Sequence, residues 1–246
     1  MVLAERTARA SRPIPWTTIA AGMGLLIAGC ASGVVSAQSD ATAYPNMAPL
    51  ARYLLPTPDQ EIALARSAAP PAISKDAEIL TLTPHGYETA VKGSNGFVCL
   101  VERSWAKNFD NDFWNPRIRS PHCLNPPAAR SVLPNYLQRT QWVLSGASEA
   151  EMLERTKAAV AAHQISGPEV GSMSYMMSKD GYLGDDAGGP WHPHLMFYLP
   201  RSTQGELGAD LQESPILSDP DTEPMAITFF VPLSRWSDGT RQASTH

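Results

Sequence analysis

Asn95-Gly96-Phe97-Val98-Cys99-Leu100-Val101-Glu102-Arg103 decides the fold class. A Gly-containing turn ends at Gly96, and a strand follows. Strand side chains alternate, so Phe97, Cys99 and Val101 share one face while Val98, Leu100 and Glu102 share the other. Both faces are apolar apart from Glu102, which is the pattern of a central, substantially covered strand.

Working upstream, Ala77–Thr83 and Tyr87–Val91 are expected strands, separated by Pro84-His85-Gly86. With the 97–102 strand they are expected to form an antiparallel meander. Before them, Thr57-Pro58-Asp59-Gln60 carries the signals of a helix start, with Thr57 as cap and Pro58 in the first turn. The Pro70-Pro71 pair stops that helix. Residues 38–56 are small and polar with isolated apolar positions and are expected to be a flexible tether.

Downstream, residues 104–127 are expected to be loop, rich in Trp, Asn, Asp and Pro. Asp110 and Asp112 fall far short of a calcium-loop pattern and are expected to serve turns. A helix is expected over Ala128–Leu144, interrupted or restarted at Pro134. A stronger one begins at Ser148, which with Glu151 has capping-box spacing. Met152, Leu153, Thr156, Ala159, Val160 and His163 are expected along its broad face, His163 as a satisfied helix-end residue. Met173–Met177 is an expected strand whose methionines read as core packing. Leu195–Leu199 and Met225–Leu233 are expected to lie side by side. The whole predicts one α+β domain over 57–234, with a mainly antiparallel sheet and two or three helices, followed by a polar tail at 235–246.

The 246 residues suffice for one well-buried domain plus a leader. The 22 prolines and 17 glycines argue for a loop-rich globule over a helical bundle. A net charge of −5 and the lack of a basic stripe with interleaved aromatics argue against a nucleic-acid footprint.

Arg6, Arg9 and Arg12 precede the mainly apolar stretch Ile14–Ala28. This is the layout of a signal peptide, short for a permanent span. Two processing routes compete. Ile27-Ala28-Gly29-Cys30 resembles the lipobox of bacterial lipoproteins, in which lipidated Cys30 becomes the mature N-terminus and anchors the chain to a membrane. Val35-Ser36-Ala37 offers ordinary cleavage before Gln38. Either route predicts an extracytoplasmic address. Beyond Cys30 only Cys99 and Cys123 remain, and an even pair in an oxidising compartment is expected to be a disulfide. It would close a loop of about 25 residues and contribute about 2–4 kcal/mol. The rival is a metal site that adds His122.

The chemistry-bearing stretch is Gly188-Gly189-Pro190-Trp191-His192-Pro193-His194-Leu195-Met196-Phe197-Tyr198-Leu199. At a strand entrance, His192 and His194 would point to one side. A divalent metal held by His192 and His194 with His122 or Glu102 is one reading, since neutral imidazoles and a carboxylate suit such ions. The other reading is a non-catalytic ligand-binding domain, with Trp191, His192, His194, Tyr198 and Tyr182 as a polar-aromatic recognition edge and Asp185 and Asp186 adding charge. No cofactor is otherwise implied: the chain has no nucleophile elbow, phosphate loop or dinucleotide fingerprint.

The blocks Asn95–Arg103, Pro121-His122-Cys123 and Trp191–Tyr198 together resemble those of a family of exported bacterial proteins without an established function. That resemblance covers most of residues 58–232. It implies an extracytoplasmic single domain and transfers no catalytic residue.

Overall fold

The computed structural model describes residues 44–106, 112–184, 192–200, 206–208, 211–212, 217–218 and 227–242. Cys30, Asp110, Asp185, Asp186 and Trp191 therefore lie outside the described residues.

The chain forms a single α+β domain around one eight-stranded, mainly antiparallel sheet. In chain order the elements are α1 (Pro58–Arg66), α2 (Pro71–Ser74), β1 (Glu78–Thr83), β2 (Gly86–Val91), β3 (Val98–Glu102), β4 (Ser120–Leu124), α3 (Pro126–Ser131), α4 (Leu133–Leu144), α5 (Glu149–Ala161), β5 (Met173–Met176), β6 (His194–Leu199), β7 (Leu217–Ser218) and β8 (Ile227–Pro232). Among the described residues, no helix is long and apolar enough to cross a membrane.

Local signals place the helices. Thr57 accepts from the Gln60 N–H at the start of α1, with Pro58 in its first turn. Ser148 and Glu151 form a reciprocal capping box on α5. Pro134 restarts the chain: it sits in the first turn of α4, where its missing N–H has no intrahelical partner to lose. On α5 the buried positions are Met152, Thr156 and Ala159. His163 stands exposed beyond the helix end with φ 55°, in the left-handed region.

The strand order is β2-β1-β3-β4-β5-β6-β8-β7. The expected meander is corrected here, because β3 pairs in parallel with β1, on the side away from β2. The reason is burial. In β2 only Gly86 is buried and Glu88, Thr89 and Ala90 are exposed, which suits an edge. By contrast, four of the five residues of β3 are buried, and it takes neighbours on both sides. All other pairings among the described residues are antiparallel, including β6 with β8, which lie side by side as expected, Leu195 opposite Val231 and Leu199 opposite Ile227.

The two faces of the sheet are covered differently. On one, α1 and the helical turn after it set Ala65, Ala68 and Ala69 against Ile79, Cys99, Val101 and Cys123. The Cys99–Cys123 disulfide lies on this face and joins directly opposed residues of β3 and β4. On the other face, α3 and α4 set Ala128, Val132, Leu133 and Tyr136 against Leu80, Leu100, Leu124, Met176, Met196 and Tyr198.

Two boundary expectations differ from the structure. The expected tether is packed from Tyr44 onward, and Tyr53 is fully buried. Its hydroxyl donates to the Trp114 carbonyl at 2.8 Å, and its own carbonyl accepts from Arg103 Nε at 2.7 Å. The small polar residues around Tyr53 hid one aromatic anchor. The expected polar tail also folds as far as Gln242. Arg235 bridges Arg241, and the Ser237 N–H donates to the Met177 carbonyl.

Candidate functional site

The site lies on the sheet face beneath α4. Register explains it. Leu100 opposes His122 and Glu102 opposes Ser120, so these four residues share one face, opposite the disulfide. Glu102 and His122 are diagonal neighbours there. His122 Nδ1 stands 2.7 Å from Glu102 Oε1, and the side chains are only 2% and 4% exposed. The two atoms meet as a buried ion-pair contact without hydrogen-bond alignment, and the ring is set so that Nε2 turns toward β6. There it meets Met196 Sδ at 3.1 Å. Tyr136 of α4 stacks over the imidazole, with ring centroids 6.3 Å apart and planes within 11°.

A row of side chains continues across the sheet. Cys123 opposes Tyr175 on β5, so one step further His122 stands beside Met176. Met176 in turn opposes His194 on β6. His122, Met176 and His194 thus run side by side on one face, with Met196 two residues beyond His194 on the same side. The His194 Nδ1 is 3.0 Å from the His192 carbonyl, and its ring meets Phe230 edge-on at 5.3 Å. Burial pushes the His194 imidazole down to about 4, against the raising effect of the His192 carbonyl, while His122 and His192 lower it further. It is therefore a neutral ring at pH 7.

Three further buried polar atoms occur on the elements that enclose this pair. Ser104 Oγ, Ser120 Oγ and Asn135 Oδ1 have no hydrogen-bond partner among the described residues. Ser120 is the strand partner of Glu102, and Asn135 precedes Tyr136 on the inner face of α4. A buried polar atom without a partner costs about 1–3 kcal/mol, so such atoms mark places where folding stability yields to another requirement.

The structure brings together only part of the residue set expected from sequence. Glu102 and His122 are in contact, and His194 shares their face. His192 is exposed, and what it brings to His194 is its backbone carbonyl rather than its ring. Tyr198 is a core residue, 2% exposed, with its hydroxyl 3.0 Å from Ser174 Oγ. Tyr182 lies elsewhere, bridged to Arg119 and carrying the Arg117 guanidinium over its ring at 4.5 Å. Asp112 serves a turn, accepting from Asn115 Nδ2. Among the described residues, no three His, Cys, Asp or Glu side chains stand together as a ligand group. The residues that the sequence did not single out are Met196, Met176, Ser120 and Asn135. The signal for Met196 was its place two residues after His194 on an expected strand.

The other buried charges do structural work. Arg103, on the opposite face from Glu102, donates to Glu61 Oε1 at 2.9 Å and to the Val101 carbonyl, while Glu61 also accepts from the Leu82 N–H. This network ties α1 to β1 and β3. A separate cleft of about 280 Å³ lies by α3, α4 and α5, lined by Arg130, Gln138, Trp142 and Gln164 among others. Among the described residues, Ser104, Ser120 and Asn135 are not part of its lining.

No protein-family model matches the chain, and no curated protein or solved structure matches it.

Proposed function

We propose that this protein is an exported, non-catalytic binding domain that receives a small ligand on the α4 face of the sheet, around His122. The observation that carries this reading is the engagement of both ring nitrogens of His122: Nδ1 with Glu102 at 2.7 Å and Nε2 with Met196 Sδ at 3.1 Å. A Ser–His–acid nucleophilic device needs Nε2 on a hydroxyl, and here it faces a thioether. What the arrangement does supply is a rigid, desolvated and oriented polar group among buried hydroxyl and amide atoms, which suits recognition. The basic leader, the apolar Ile14–Ala28 stretch and the paired cysteines support the extracytoplasmic address, with Cys30 lipidation as one route to a membrane. Metal-dependent catalysis by His192 and His194 with His122 or Glu102 is less well supported. The Glu102 carboxylate is already engaged, and the His192 ring is exposed.

The test is native mass spectrometry of the protein recovered from the cell envelope. The expected result is a leader-free chain, beginning at Cys30 or Gln38, that carries a non-covalent mass lost in Glu102→Gln. An intact leader in a cytosolic chain would overturn the address. A bound species indifferent to Glu102→Gln would overturn the site.

A further inference from the structure

We propose that His122, His194, Met176 and Met196 form a binding site for a soft monovalent metal ion, Cu(I). This deepens the binding-domain reading and rests on it.

The geometry of the two histidines comes first. Each has its Nδ1 held beside an oxygen: His122 at 2.7 Å from the Glu102 carboxylate, His194 at 3.0 Å from the His192 carbonyl. Metal-ligating histidines have this arrangement, in which an outer partner fixes the tautomer and orients the other nitrogen as the ligand. For His122 that nitrogen already lies 3.1 Å from a thioether sulfur. Two donor atoms bound to one ion at about 2.0 Å and 2.3 Å would sit at about this separation for a bond angle near 90°.

The placement of the second thioether follows from the sheet. The row His122–Met176–His194 puts a methionine between the two imidazoles on the same face, and Met176 and Met196 are 4% and 9% exposed. Two imidazoles and two thioethers make a neutral, soft donor set. Thioether ligands select Cu(I), whereas hard ions need carboxylate or carbonyl oxygens. Charge points the same way. One buried carboxylate, Glu102, balances a monovalent ion, while a divalent ion would leave an uncompensated buried charge. Alternation along β5 and β6 also explains why Tyr175 and Phe197, on the other face, take no part.

The experiment is an anaerobic competition titration of the full chain with Cu(I) against the chromophoric chelator bicinchoninate, followed by X-ray absorption spectroscopy of the copper-loaded protein. The expected result is one Cu(I) per chain, with nitrogen and sulfur in the inner shell. Met196→Leu, a volume-conserving swap that leaves the core filled, lowers Cu(I) affinity at least tenfold. Glu102→Gln lowers it about 10–100-fold through loss of the orienting carboxylate. Met173→Leu, on the same strand as Met176 but at the opposite end of it and away from the histidines, leaves it unchanged. A chain that yields all its Cu(I) to the chelator overturns the proposal, as does Met196→Leu binding Cu(I) as tightly as the parent. If Cu(I) fails while a Glu102-dependent bound species is still seen by native mass spectrometry, the copper site falls and the binding-domain reading stands. If both fail, both fall.

Discussion

Glu102 and His122 show how a buried pair commits a site. Each was removed from water, and each is retained by the other at 2.7 Å. Deleting one partner of such a pair strands the other, whereas replacing both with apolar groups of similar volume is close to neutral. Glu102→Leu is therefore expected to cost about 3 kcal/mol in urea unfolding, and the Glu102→Leu, His122→Phe double variant to cost less than Glu102→Leu alone. Equal or additive losses would show that the pair contributes nothing as a pair. Glu102 was legible as a polar residue on a covered strand face, which demands a partner. Its partner was not legible, because His122 lies 20 positions further on and meets it only through the β3–β4 register.

Element ends are where this chain states its structure most plainly. The α5 start carries Ser148 and Glu151, and Ser148→Ala is expected to cost about 1 kcal/mol in thermal or urea unfolding, as the loss of a cap does. The capping box also has a pH signature. The Ser148 backbone N–H, and then its hydroxyl, hold the Glu151 carboxyl below its ordinary value. A depressed carboxylate stabilises the fold above the ordinary carboxylate range and loses that contribution as pH falls through its own lowered value. The stability gap between the parent and Glu151→Gln is thus present at pH 7 and closes on acidification. A gap that widened toward low pH would contradict the assignment. Thr57 and Ser148 were readable because capping is settled within four residues. The pairing of β3 with β1 was not, because an edge strand is told from a central one by what packs beside it.

At the scale of the whole molecule, the folded domain begins earlier than its first helix. Tyr53 is fully buried, packs on Trp105 with ring centroids 4.8 Å apart, and ties Trp114 and Arg103 to the segment before α1. A chain truncated before Thr57 is expected to lose its cooperative thermal transition, and Tyr53→Ala to cost on the order of 3 kcal/mol, the usual loss for a buried aromatic. Truncation after Ala37 is expected to leave the transition unchanged. The sequence alone determined the α+β class, the starts of α1 and α5, the two faces of β3 and the Cys99–Cys123 pairing, because periodicity, capping and cysteine count are local or arithmetic properties. In contrast, β4 lay inside an expected loop and emerged only in the tertiary structure. Only the tertiary structure decided that β5 would lie between β4 and β6. That order brings His122 to Met196 and Met176 and leaves His192 at the surface. Strand order and register are settled by burial between residues distant in the chain, and no local pattern encodes which edge a strand will find.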